Sequence, residues 1–139
     1  MSQLRNFPLI ATRHLQKPMK TLRSEFSDQH GKAYLRSWCS WTTFDRLSTN
    51  AGYWTAELPL ESELGEAYIQ DGGTWGQPFG YEDELAHIII PRKFCEEHSY
   101  TNVFRQWTHE QDIDGLSKIV AAAGIEHRIS KFALEVKYY

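Results

Sequence analysis

The chain has 139 residues, of which 41% are hydrophobic and 24% charged, and its formal net charge at pH 7 is −3. This composition is ordinary for a soluble globular chain. The amino terminus lacks the apolar run of a secretory signal, no stretch is long enough to span a membrane, and Cys39 and Cys95 show no disulfide pattern. We therefore expect a single domain over residues 1–139, located in the cytoplasm and away from membranes.

Two helices are predicted in the basic first third of the chain. The first follows Pro18, which suits an early helical position, because apolar residues recur after it at helical spacing. The second lies near residues 32–46, where aromatic and aliphatic side chains form a stripe on one helical face. The residues of this stripe are Tyr34, Leu35, Trp38, Trp41, Phe44 and Leu47. We interpret the stripe as a surface that faces the core rather than as a platform for a ligand.

Strands are predicted in the middle of the chain. Residues 53–58 and 66–70 are rich in aromatic and alternating side chains, which favour β structure. The Asp-Gly-Gly sequence at residues 71–73 indicates a turn, and the glycines and rings of residues 74–82 indicate an exposed loop. Residues 85–90 read Leu-Ala-His-Ile-Ile-Ile, a nearly continuous apolar run that is typical of a central strand covered on both faces.

The last third of the chain adds two helices and a closing strand. A short helix is predicted near residues 99–107. A longer one is predicted over residues 112–123, because its apolar residues fall on one face and Gly124 would end it. Residues 129–138 alternate between apolar and polar side chains, as in a half-exposed strand. The predicted fold class is therefore α+β, with a mostly antiparallel sheet and two or three helices packed on one face.

The most unusual feature is the acidic segment, residues 57–84. Its 28 residues include eight carboxylates and no lysine or arginine. The rest of the chain holds ten acidic residues against fifteen basic ones, a net of +5, so the total of −3 conceals a segregation of charge. Tyr53 and Trp54 precede the acidic segment, and four more aromatic residues and five glycines lie within it. Such a surface is suited to binding a basic partner.

The sequence contains no specific catalytic or metal-binding signature. Cys95 and His98 form a lone C-x2-H pair, which is weak for zinc, and the ordinary interpretation is a buried thiol beside a surface histidine. The glycines match no phosphate-binding motif, so no cofactor is expected. His87, inside the predicted central strand, is interpreted as a hydrogen-bonded core residue. A nucleic-acid surface is disfavoured because the chain is net acidic.

The leading hypothesis is a non-enzymatic inhibitor or immunity-type protein. It would bind and block a basic protein, for example a nuclease toxin, through the acidic segment. The predicted contacts are charged residues and two aromatic anchors: Glu61, Glu63, Glu66, Asp71, Trp75, Tyr81, Glu82, Asp83 and Glu84. The alternative is a small hydrolase that combines carboxylates of the acidic segment with His87 or His98. A third hypothesis is a housekeeping interaction domain without a cationic partner.

Overall fold

The computed structural model describes six parts of the chain. They are residues 6–15, 37–50, 52–59, 63–65, 84–100 and 103–139. The elements in chain order are α1 (residues 7–15), β1 (Trp38–Thr43), α2 (Phe44–Thr49), β2 (Trp54–Glu57), β3 (Leu85–Pro91), β4 (Lys93–Tyr100), β5 (Val103–Glu110), α3 (Ile113–Ala122), β6 (Arg128–Ile129) and β7 (Ala133–Lys137). Three helices combine with antiparallel strands in these ranges, so the predicted α+β class is confirmed.

Strand β3 lies at the centre of a five-stranded sheet with the order β2-β1-β3-β7-β6. It pairs antiparallel with β1 on one side and with β7 on the other. Residues Leu85 to Ile88 and Ile90 are buried, as expected of a strand covered on both faces. The central strand predicted over residues 85–90 is therefore confirmed. It ends at Pro91, whose missing N–H weakens any continuation of the ladder.

One face of this sheet carries the hydrophobic core. Side chains alternate between the faces of a strand, and the register aligns Trp41 with Ile88 and Ile88 with Val136, so these three share a face. They join Phe7 of α1 and Leu116 of α3 in one buried cluster. Burying a side chain of this size stabilises the fold by roughly 1.5–3 kcal/mol. Helices α1 and α3 therefore pack on the same face, whereas α2 contributes no buried residue.

Local chemistry accounts for both ends of α3. Asp112 caps the amino-terminal end, because its Oδ1 accepts a hydrogen bond from the Gly115 N–H at 3.0 Å. At the other end Gly124 adopts a φ of 77°, a left-handed conformation that glycine tolerates without strain. The Gly124 N–H bonds to the carbonyl of Ala121 at 3.0 Å. The helix predicted over residues 112–123 is confirmed.

Helix α1 fixes the beginning of the described chain to two other regions. The hydroxyl of Thr12 donates to the carbonyl oxygen of Pro59, just after β2, at 2.7 Å. The Nε2 atom of His14 lies 3.2 Å from the carbonyl oxygen of Asp112, at the start of α3. The helix predicted after Pro18 lies outside the described residues.

The helix predicted near residues 32–46 is wrong over residues 38–43. Residues Trp38–Thr43 form β1, in which Cys39, Trp41 and Thr42 are buried. A spacing of three between Trp38 and Trp41 suggested a helix, but tryptophan and threonine favour strands, and β1 gains two pairing partners, β2 and β3. Residues 44–46 of the predicted range are helical and form the beginning of the short α2.

The helix predicted near residues 99–107 is also wrong. Strands β4 and β5 form an antiparallel two-stranded sheet there, with Lys93 opposite Glu110 and Tyr100 opposite Val103. Of the single strand predicted over residues 129–138, the part at residues 133–137 is confirmed as β7; residues 130–132 instead form a turn that joins β7 to β6 in a hairpin. The Ser130 N–H and the Ala133 carbonyl close its turn at 2.9 Å.

Gln111 joins the sheet to the two-stranded β4–β5 unit through its buried amide. Its Oε1 accepts from the Trp38 N–H at 2.7 Å, and its Nε2 donates to the Trp38 carbonyl at 3.0 Å and to the Pro91 carbonyl at 2.8 Å. Gln111 is 2% exposed. Its side chain therefore satisfies backbone groups of β1 and β3 that would otherwise be buried without partners.

We expect the Gln111→Leu variant to lose about 2–4 kcal/mol of unfolding free energy, because it leaves these buried backbone groups unpaired. Gln111→Glu should also be destabilised, since a carboxylate keeps the acceptor but loses both donors. Urea unfolding measures both effects. The matched control is Glu126→Gln at an exposed position, which should change stability by no more than about 0.5 kcal/mol. A Gln111→Leu variant as stable as the control would contradict the role assigned to this amide.

Candidate functional site

The acidic segment connects two strands that are parallel but not adjacent. Strands β2 and β3 are both antiparallel to β1, which lies between them. They therefore run in the same direction, and the chain between them must cross from one end of the sheet to the other. All of the acidic segment after Glu57, the last residue of β2, belongs to this crossing. It is a crossover connection, which is longer than the loop of a hairpin.

The described parts of the acidic segment show where the crossing begins and ends. Leu58 is buried, and Leu64 packs against the core cluster shared by α1 and α3. The crossing thus begins on the face that the helices cover. It ends at Glu84, whose carbonyl oxygen accepts a hydrogen bond from the Phe44 N–H at 2.8 Å. Two predicted contact residues are described here: Glu63 is half-buried and Glu84 is exposed.

The other predicted contact residues lie outside the described residues. They are Glu61, Glu66, Asp71, Trp75, Tyr81, Glu82 and Asp83. The strand predicted over residues 66–70, the turn predicted at residues 71–73 and the whole loop predicted over residues 74–82 lie there too. A common surface for these side chains stays a prediction.

Two exposed aromatic residues shortly precede the acidic segment in the chain. Tyr53 is 39% exposed and Trp54 is 37% exposed. The Trp54 ring stacks on the buried Trp41 ring, with centroids 4.5 Å apart, and the Arg46 guanidinium lies 3.6 Å from the Trp54 ring centroid. Arg46 is held in turn by its Nε, which donates to the Gly52 carbonyl at 2.8 Å. Trp54 is therefore fixed in one orientation while more than a third of its surface remains accessible.

A buried histidine lies on the sheet face opposite the core. His87 is 5% exposed; its Nδ1 lies 2.5 Å from the Tyr53 hydroxyl and its Nε2 lies 3.3 Å from a carboxylate oxygen of Glu135. An ionised carboxylate can only accept, so Nε2 carries the proton and donates to Glu135. Nδ1 then presents a lone pair to which the Tyr53 hydroxyl donates. These partners fix one neutral tautomer and satisfy both ring nitrogens.

The pKa shifts of His87 and Tyr53 agree with neutral forms of both side chains. Burial lowers the pKa of His87; the hydrogen bond and charge of Glu135 oppose this effect, and the charge of Lys137 adds to it. Burial raises the pKa of Tyr53, and the neighbouring Tyr139 and Glu135 raise it further. The Tyr53 phenol is therefore a hydrogen-bond donor at neutral pH and not an activated nucleophile. The network holds Tyr53 in place immediately before β2.

The hydrolase hypothesis required a carboxylate of the acidic segment beside His87 or His98. Among the described residues, the carboxylate that contacts His87 is Glu135 of β7, and the side chain of His98 is not described. No three His, Cys, Asp or Glu side chains in the described ranges could together hold a metal ion. Cys95, interpreted above as buried, is exposed, whereas Cys39 is buried and its pKa is raised by that burial.

Sequence reasoning missed Glu135 and the link between Tyr53 and His87. The alternation in residues 129–138 did place Glu135 on the face opposite Leu134 and Val136. It did not show which strand that face would meet. The partners of His87 are separated from it by 34 and 48 residues, so only the strand order brings them together.

Comparison of the chain with protein-family models, with curated proteins and with solved structures found no match. None of the helices in the described ranges is long and apolar enough to cross a membrane. A function for this chain must therefore be argued from its own residues.

Replacing His87 by glutamine tests whether the buried imidazole is held neutral. A lowered pKa means that, below about pH 6.5, the unfolded chain binds a proton at this site before the folded chain does. Stability conferred at this site is therefore lost as the pH falls through that window. We expect the wild type to exceed His87→Gln by about 1–3 kcal/mol at about pH 8, with a smaller difference at about pH 5.

Urea unfolding at the two pH values measures this difference. The control is Tyr53→Phe, which removes one hydrogen bond but keeps the buried imidazole, and it should retain the acid dependence of the wild type. A difference between wild type and His87→Gln that stays constant or grows on acidification would contradict a neutral His87.

Proposed function

We propose that this chain is a non-enzymatic, cytoplasmic inhibitor or immunity-type protein that binds and blocks a basic protein partner. The observation that supports it is the position of the acidic segment. A stretch with a charge of −8 starts at the last residue of β2 and continues through the crossing to β3, and the exposed Tyr53 and Trp54 precede it in the chain. Charge and aromatic anchors are therefore neighbours in the chain, a combination that suits recognition of a cationic surface.

The carboxylates of the acidic segment act mainly on the rate of association. A surface of one sign raises the association rate with an oppositely charged partner by about 10–1000-fold at low ionic strength. The effect weakens as salt is added, because the Debye length falls to about 8 Å at physiological ionic strength. Binding that depends on the acidic segment is therefore sensitive to salt.

Affinity comes from aromatic side chains more than from charge. Ordering a flexible side chain on binding costs about 0.5–1.5 kcal/mol. Trp54 avoids much of this cost, because Trp41 and Arg46 already hold its ring. Trp75 and Tyr81 are the anchors proposed within the acidic segment itself.

A nuclease toxin is the class of partner that we favour. Proteins that bind nucleic acids hold the phosphate backbone with lysine and arginine side chains. A dense row of carboxylates can occupy such a basic cleft in place of phosphates. An inhibitor of this kind needs no catalytic group of its own. This is consistent with His87, whose two ring nitrogens are both occupied by hydrogen bonds to Tyr53 and Glu135.

Neutralising the end of the acidic segment should weaken partner capture. The variant changes Glu82, Asp83 and Glu84 to glutamine. Immobilised wild type should retain a basic protein from a lysate of the source organism at about 0.01 M salt and release it at about 1 M, where the Debye length is about 3 Å. The triple variant should retain about 10-fold less of that protein, the lower end of the expected steering effect.

A matched variant separates the position of these charges from their number. Asp45→Asn, Glu110→Gln and Glu126→Gln together remove the same charge from exposed positions outside the acidic segment, and this variant should capture the partner as well as wild type does. Equal loss in both variants would assign the effect to net charge alone. A wild type that retains no salt-sensitive basic protein would overturn the proposal and direct attention to hydrolase substrates.

A further inference from the structure

A groove of about 530 Å³ lies between the end of α3 and strands β6 and β7. Side chains from both sides of the sheet line it. Ile125 is one of them, and it belongs to the hydrophobic core. Glu135 and Lys137 also line the groove, and both lie on the face opposite the core, because Val136 between them is buried in the core. A groove bordered by side chains of both faces runs along the edge of the sheet.

The backbone of Lys137 faces this groove with unused hydrogen-bonding groups. Strand β6 pairs with β7 only as far as Arg128, which lies opposite Glu135, whereas β7 continues to Lys137. The next residue, Tyr138, donates its N–H to the Ala86 carbonyl of β3 at 2.9 Å. Adjacent residues of a strand direct their backbone groups to opposite sides, so the N–H and carbonyl of Lys137 point away from β3. Within the residues that the structure describes, no backbone group meets Lys137 on that side.

The charged side chains beside this open edge favour an acidic ligand. Arg128 and Lys137 both line the groove. They share one face of the sheet, because Arg128 lies opposite Glu135 and Lys137 follows Glu135 by two residues. The carboxylate of Glu135 lies 3.3 Å from Nε2 of His87, so it is already engaged within the protein. Glu126 is the other acidic residue of the lining, and two cations therefore outweigh one carboxylate.

We propose that the groove binds an extended peptide segment of a partner protein as a short strand antiparallel to β7, in line with β6. One residue of the peptide lies opposite Lys137 and exchanges two backbone hydrogen bonds with it. The side chain of that residue lies on the face of Lys137 and Arg128, where a carboxylate pairs with both cations. Its two neighbours point to the other face, toward Ala121 and Ile125. The site therefore selects an acidic residue between two apolar ones.

Titration of the full chain with the capped pentapeptide Thr-Val-Glu-Val-Thr, followed by NMR of the backbone amides, tests this proposal. The Lys137 amide resonance should shift until the site is saturated. A peptide with lysine in place of glutamate should bind about 5-fold more weakly, because it brings a third cation to the same face. A peptide with an N-methylated glutamate keeps the carboxylate but loses the N–H that donates to the Lys137 carbonyl. It should bind at least about 10-fold more weakly.

Two matched variants locate the peptide in the groove. Ala121→Tyr fills the groove and should weaken binding at least about 10-fold. Ala122→Tyr adds the same side chain at the next exposed position, which does not line the groove, and should bind like wild type.

Three results would each overturn the proposal. They are an Lys137 amide that does not shift with the glutamate peptide, an N-methylated peptide that binds equally well, and a folded Ala121→Tyr that binds like Ala122→Tyr. If Ala121→Tyr does not fold by circular dichroism, the comparison of the three peptides decides. Neither variant alters the acidic segment, so these outcomes do not bear on the inhibitor proposal.

Discussion

The burial of β3 on both faces is the constraint on which the rest of the structure depends. Ile88 and Ile90 fill the face that α1 and α3 cover, while His87 points to the other face and is nearly as buried. A buried polar group without partners costs about 1–3 kcal/mol. Tyr53 and Glu135 remove that cost, and they come from the chain before β2 and from β7. The side chain of His87 therefore links the central strand to β7 and to the residue that precedes β2.

The order of the strands determines where the acidic segment leaves the sheet and where it returns. Because β1 is inserted between β2 and β3, the chain cannot pass from β2 to β3 by a hairpin and must cross the sheet. The start of this crossing is held by the Leu58 N–H, which donates to the Ser37 carbonyl, and its end is held by the Glu84 carbonyl, which accepts from the Phe44 N–H. The segment with the densest charge is thus attached at both ends to a rigid sheet, an arrangement that suits a binding surface.

Elements with local signals were predictable from the sequence, and elements that depend on pairing were not. Asp112 and Gly124 mark the ends of α3 by side-chain capping and by a left-handed turn, and the apolar run of β3 indicates a strand without reference to its neighbours. Trp38 and Trp41 fit helical spacing equally well, and only the ladders to β2 and β3 make them part of a strand. The same holds for the site: the charge of the acidic segment is visible in the sequence, whereas the contacts of His87 follow from strand order.

The central claim is that the acidic segment is the surface that meets a basic partner, and cross-linking of the captured complex tests it most directly. A carbodiimide joins carboxylates to lysine amines that are already in contact, without a spacer. We expect lysines of the partner to be joined to carboxylates within residues 57–84, and the yield to fall at about 1 M salt. Cross-links confined to carboxylates outside this range, such as Glu110 or Glu126, would contradict the claim.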